Sequence, residues 1–199
     1  MKTINNITVL FLITTLFFSC SSSSTNGLDV TNATDINTIK ELVVEKFDDI
    51  EVNQVHIVTE NELSNNFESF SITYVEDGKL KNRLYNQLLP EGDKMQPAHD
   101  GLQIFLKKKQ GKIKLSEIDF DIVTSKFKEA CRLIDDTYEN YTLHNFSFHV
   151  KNDNSVIAEF QINATEKGED TEISGNMEIT NYYEFNFEME ANGKLTLNE

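Results

Sequence analysis

Tryptophan is absent from this chain of 199 residues, cysteine and proline each occur twice, and glycine occurs only eight times. Each shortage excludes something. With Cys20 and Cys131 as the whole thiol inventory, a disulfide-stapled scaffold is ruled out, and if Cys20 is modified no disulfide can form at all. So few prolines and glycines, beside an apolar content of 39%, exclude a low-complexity or collagen-like chain and leave a fold that must be stabilised by its own core. Basic residues are also scarce, 18 against 33 acids, for a net charge of −15. Nucleic acid is therefore not an expected partner, because phosphate binding needs a basic surface. The same deficit disfavours close contact with anionic lipid head groups, while a basic protein or a divalent cation suits it. A bilayer-spanning run is missing as well. The most apolar stretch, Ile7–Phe18, has twelve residues, which as a helix would cover only about 18 Å of a hydrocarbon core roughly 30 Å thick.

That short run follows Met1-Lys2-Thr3 and leads to Ser19-Cys20 and four more serines, Ser21 to Ser24, which is the layout of an export signal at residues 1–19. Leu16-Phe17-Phe18-Ser19-Cys20 resembles a lipobox, in which a small residue precedes the cysteine that is acylated before the signal is cut. The resemblance implies lipid attachment at Cys20, a bacterial cell-envelope address, and a periplasm-facing position on the outer or inner membrane, with the cell surface as the other option. Ordinary cleavage near Ser19, leaving a free thiol, is the alternative the residues leave open. Acylation would tether the chain firmly, since each buried methylene contributes about 0.8 kcal/mol. Residues 20–33 are small and polar and read as a flexible linker. Removing residues 1–19, which hold one base and no acid, takes the net charge from −15 to −16.

From residue 34 onward the hydrophobic pattern is that of an α+β protein. Ile36, Ile39, Leu42, Val43 and Phe47 recur at steps of three and four, predicting a helix over about 35–49 with Thr34 or Asp35 as its cap. Strand-like alternation follows: Val55 to Val58, then Phe70, Ile72 and Tyr74 up to Asp77-Gly78, a pair suited to a tight hairpin, with Leu80, Asn82 and Leu84 returning. Residues 89–101 hold both prolines and two glycines and read as a loop, after which Leu102, Ile104 and Leu106 resume alternation. The second half repeats the order. A helix is expected from Ser116 or Asp119 to about Asp136, with Ile122, Val123, Phe127, Ala130, Cys131 and Ile134 on one side. Then come His144, Phe146, Phe148 and Val150 on one strand face, a turn at Lys151–Asn154, and Val156 to Ala164 on the next strand. From Ile173 to Met189 the apolar residues Ile173, Met177, Ile179, Tyr183, Phe185, Phe187 and Met189 hold odd positions with polar residues at even ones between them, a span too long for one strand, so a break is expected near Asn181. A hairpin at Asn192-Gly193 brings back Leu195 and Leu197.

The expected architecture is two tandem units, 34–110 and 111–199, each one helix packed on an antiparallel sheet of about four strands. This element order resembles the tandem helix-on-sheet modules of envelope proteins, the beta-lactamase-inhibitor-like and PepSY-like folds. The resemblance covers residues 34–199, rests on element order, and carries no site residues with it. A cystatin-like or lipocalin-like sheet is the alternative.

Chemistry-bearing motifs are few. No two of His56, His99, His144 and His149 stand at metal-ligand helical spacing, and His144 and His149 fall at odd separation on one strand, which predicts opposite faces. Cys131 lies on an apolar helix stripe and reads as a small core residue. Nucleophile-elbow and glycine-rich phosphate-loop patterns are missing, and Asp119 with Asp121 lacks calcium-loop spacing. No cofactor, metal or catalytic residue is expected. Three features are candidates for recognition: the even-numbered row Glu178, Glu184, Glu188 and Glu190 with Tyr182 within it, the basic cluster Lys107-Lys108-Lys109, whose plainer reading is protection of an edge strand, and the 89–101 loop, whose plainer reading is a simple crossover. The sequence therefore predicts a tethered, non-enzymatic binding module, with a protein as the favoured partner. Small-ligand, sugar or calcium binding, or an enzyme assembled from scattered carboxylates and histidines, are the alternatives.

Overall fold

Helix α1 runs Ala33–Lys46, and its first turn is capped by Asn32, whose side-chain oxygen accepts from the amides of Thr34 (2.8 Å) and Asp35 (3.3 Å). Neither Thr34 nor Asp35 is the cap. Asp35 instead reaches back to accept from the Asp29 amide at 3.0 Å, fixing the segment that leads into the helix. The helix stops earlier than the expected residue 49, because Asp48 and Asp49 take left-handed backbone angles and the Asp49 amide closes onto the Val44 carbonyl at 3.2 Å. These coordinates are a computed structural model, which describes residues 27–101, 110–169, 172–174 and 177–198. The export signal, Cys20, the Lys107–Lys109 cluster and the expected strand at 102–106 lie outside the described residues.

After α1 come β1 (Glu51–Val52), β2 (Gln54–Thr59), β3 (Phe67–Glu76) and β4 (Lys79–Asn86). Asp77 and Gly78, at φ 50° and 72°, form the β3–β4 turn as their sequence implies. The 89–101 segment is not a free loop throughout. Met95 bridges Tyr85, and β5 (His99–Asp100) pairs with β4, so the segment returns along that strand. Next come β6 (Ile113–Lys114) and a 3-10 turn, Leu115–Glu117. Helix α2 is Asp121–Cys131, shorter at both ends than expected. Ile118 and Phe120, both buried, break the path between the 3-10 turn and α2, and the Asp119 carboxylate accepts the Asp121 amide at 3.1 Å. The chain ends with β7 (Tyr138–Val150), β8 (Val156–Glu166), β9 (Glu172–Ser174), β10 (Met177–Ile179), β11 (Tyr183–Met189) and β12 (Leu195–Asn198).

Eight strands form one antiparallel sheet in the order β12-β11-β8-β7-β2-β3-β4-β5. The fold is α+β, as expected, but the strands assigned to two separate four-stranded sheets lie in a single one. Antiparallel pairing of β2 with β7, Ile57 opposite Phe146 and Val55 opposite Phe148, joins the two halves at their first long strands. Strands then follow outward in chain order on either side. Two small two-stranded sheets stand apart, β1 with β6 and β9 with β10. The first is stitched to the body by Asn53, which donates to the Gly111 carbonyl at 2.7 Å. Gly111 has no room for a side chain, since a Cβ there would lie 1.9 Å from the Lys151 carbonyl oxygen.

Both helices pack on the same face of the large sheet. Ile36, Ile39 and Val43 of α1 and Val123 and Ala130 of α2 belong to one core with Val55, Ile57, Phe70, Ile72, Phe146, Phe148, Phe160, Ile162 and Phe187. Rings stack across strands within it: Phe146 on Phe160 at 4.9 Å and Phe160 on Phe187 at 5.3 Å, between centroids. Cys131 is half-buried against this core.

Candidate functional site

The opposite face of the sheet is polar. Positions that alternate with the core residues are Gln54, His56 and Val58 on β2, Ser71 and Thr73 on β3, Asn82 on β4, Asn145, Ser147 and His149 on β7, Glu159 and Gln161 on β8, and Glu184, Asn186 and Glu188 on β11. Among the described residues no helix lies on this face. A run of side chains with hydrogen-bonding heads thus floors an open surface several strands wide.

The expected acidic row is partly assembled there. Glu184 and Glu188 are exposed and point away from the core, opposite Asn163 and Glu159 of β8. Tyr182 is exposed just before the strand, and Glu190 just after it, where its amide donates to the Lys194 carbonyl at 2.9 Å. Glu178 is not in the row. It belongs to the separate β9–β10 hairpin, opposite Ile173, because the chain breaks at 180–182, near the expected Asn181. Sequence reasoning missed Glu159, which stands directly across from Glu188. Like charges in that position repel. The alternation of β8 gave the direction of Glu159, but only strand register reveals its neighbour.

At the centre of the face His56 Nδ1 and Ser147 Oγ are 2.6 Å apart. Burial holds the His56 imidazole below its ordinary ionisation range, helped by the charges of His149 and His144. His149 is likewise pushed down by burial, against the opposing pull of Glu159, whose carboxylate lies 3.7 Å from its Nε2. The alternation behind the expectation that His144 and His149 occupy opposite faces is interrupted by a bulge at His144, where Leu143 pairs Ile162 while Asn145 pairs Gln161. The bulge frees the Leu143 amide, which donates to Asn65 Oδ1 at 2.8 Å. Asn65 belongs to the 60–66 segment, whose Glu62 carbonyl accepts from Thr142 (2.9 Å) and Asn163 (2.8 Å), so this segment closes one end of the polar face.

A serine beside a histidine also occurs in hydrolase sites, which add backbone oxyanion donors to the pair. Both strands pair on each side, β2 with β3 and β7, and β7 with β2 and β8, so their backbone amides are committed to the sheet and offer no oxyanion donors at Ser147. Burial pushes the Cys131 thiol up to about 11, which suits a packing role and not a nucleophile. Among the described residues no group of three or more histidine, cysteine or carboxylate side chains is placed to hold a metal ion, and no helix is long and apolar enough to cross a membrane.

No protein-family model, curated protein or solved structure matches this chain. Its chemistry has to be read from the sheet face itself. Shallow depressions mark that face on either side of Ser147, one bounded by Asn145, Glu159, Asn186 and Glu188, the other by Gln54, His56, Ser71, Thr73 and Asn82. The first is acidic and lies on β7, β8 and β11. The second holds no carboxylate.

Proposed function

We propose that this chain is a lipid-tethered lipoprotein of the bacterial cell envelope that acts as a non-enzymatic binding module, with a basic protein surface as its partner. In this reading residues 1–19 are the signal, Cys20 carries the lipid, the linker ends before Leu28 and not at the expected residue 33, because Leu28 packs against the core and Val30 is fully buried, and 34–110 and 111–199 are two related helix-plus-strand units. Support for the two units comes from strand order: in each half a helix is followed by strands that run outward from the β2–β7 seam. The same order supports the likeness to tandem helix-on-sheet envelope modules. Support for a protein partner comes chiefly from one observation, the Glu159–Glu188 pair on a sheet face over which, among the described residues, no helix lies. Two carboxylates set opposite each other cost stability in the free protein, and a cationic partner relieves that cost on binding. Glu184 extends the same acidic strip, and the overall negative charge steers a basic surface toward it.

The test is retention on the immobilised full chain from a detergent extract of its own envelope, compared with the E184K/E188K variant. The expected result is one stoichiometric protein, retained at low salt, weakened as salt rises, and lost with the variant. Equal retention of the same protein by both forms would remove the acidic strip as its binding surface, and retention of nothing by either would contradict the protein-partner reading.

A further inference from the structure

The second depression has a chemistry of its own, independent of the protein-partner reading. Ser71, His56 and Ser147 stand side by side on β3, β2 and β7, and Asn82, Thr73 and Gln54 stand side by side on β4, β3 and β2. Neighbouring strands lie about 4.8 Å apart and alternate residues along a strand about 6.7 Å apart. The six side chains therefore form two staggered rows of hydrogen-bonding heads, each roughly 10 Å long and about 7 Å apart, offset by one strand so that together they span four strands, about 14 Å. The depression over them has a volume of about 410 Å³, within the range of small-molecule sites, roughly 300–1,000 Å³.

What the lining lacks narrows the ligand. Carboxylates are absent from it, and although Arg83 contributes to the lining, its guanidinium lies 5.2 Å over the Phe47 ring on the helix side of the sheet. A cation finds no counter-charge there, and an anion meets a strongly acidic protein with only the imidazoles of His56 and His99 beside it. Neutral groups with both donor and acceptor character remain. Thr73 donates its proton to Asn82 Oδ1 at 2.7 Å and keeps its oxygen lone pairs, while the His56–Ser147 bond fixes the imidazole in the middle of the grid. Leu84, opposite Ser71, adds an apolar edge suited to the carbon face of a ring.

We propose that this grid is a binding site for a neutral saccharide of one or two pyranose rings. A sugar presents hydroxyls that donate and accept in turn around a flat apolar ring, which matches hydroxyl, amide and imidazole heads set in two rows. The lining includes no tryptophan, tyrosine or phenylalanine ring for stacking, so binding is weak, in the millimolar range.

Saturation-transfer NMR reads such binding on the ligand. Full-length protein in a detergent without a sugar head group is mixed in turn with N-acetylglucosamine trimer and with maltotriose, both neutral, and with a uronic-acid trimer as the charged comparison. The inference expects transfer to the ring protons of at least one neutral trimer, less to the charged one, and at least a fivefold loss in the S71V/T73V variant with its unfolding midpoint unchanged. Single S71A guards against misfolding of the double variant and is expected to weaken transfer in part. No transfer from folded protein to either neutral trimer, or transfer that the folded variants leave untouched, would overturn it. Neither outcome bears on retention of a protein by the β8–β11 strip.

Discussion

His56 is the residue whose state says most about the polar face. It sits between β3 and β7, with Ser71 and Ser147 across from it, His149 and His144 nearby on β7, and Glu159 beyond Ser147 on β8. Burial makes the protonated imidazole costly in the folded protein, so the unfolded chain binds the proton more readily. Stability from this group is then full above 6.5, the ordinary imidazole value, and falls as pH drops toward the lower folded value. His149 adds to the same trend, with Glu159 working against it. The unfolding temperature is thus expected to decline as pH falls below 6.5, and the H56Q variant should flatten the slope. An imidazole NMR titration of His56 with a midpoint at or above 6.5 would show the burial argument to be mistaken.

Single residues also mark where sequence reading was sound. Glu184 and Glu188 were legible as outward-facing because strict alternation fixes the side of a strand on which a residue stands. Glu159 as the partner of Glu188 was not, since register depends on contacts between segments distant in sequence. Glu178 was misplaced because alternation continued in the residue pattern across a break at 180–182 that sends the backbone into a different hairpin.

At the scale of elements, the cross-strand ring stack holds β7, β8 and β11 together. Phe160, 3% exposed, lies between Phe146 and Phe187 and contacts both rings. Truncation there removes a large buried ring and both of its stacking contacts at once. We expect F160A to lose about 3–5 kcal/mol of stability, measured by denaturant unfolding. A loss below about 1 kcal/mol would mean the stack does not hold these strands as described. Helices were legible from their periodicity, but their ends were not. Asn32 precedes the periodic run and caps it unseen, and the residues from Ser116 to Phe120 split into a 3-10 turn and a buried step that helical spacing alone does not distinguish. The bulge at His144 was hidden for a related reason: it depends on Asn65, almost eighty positions away, accepting the amide that the bulge frees.

For the whole molecule, the sheet has two unlike faces, one carrying both helices and the core and the other polar; in the proposed function the polar face carries recognition and a lipid at Cys20 holds the chain at a membrane. Tethering has a direct consequence. The C20A variant should move from the membrane fraction to the soluble fraction of the cell without change in its unfolding midpoint, and if it stays with the membrane the anchor lies elsewhere. The division of labour between the faces is the central claim. It is tested most directly by placing a photo-crosslinking residue at Glu188 on the polar face and, separately, at Glu41, exposed on α1, and irradiating intact cells. The account predicts a single discrete adduct from position 188 and none from position 41; an adduct from the helix side alone, or from both sides equally, would contradict it.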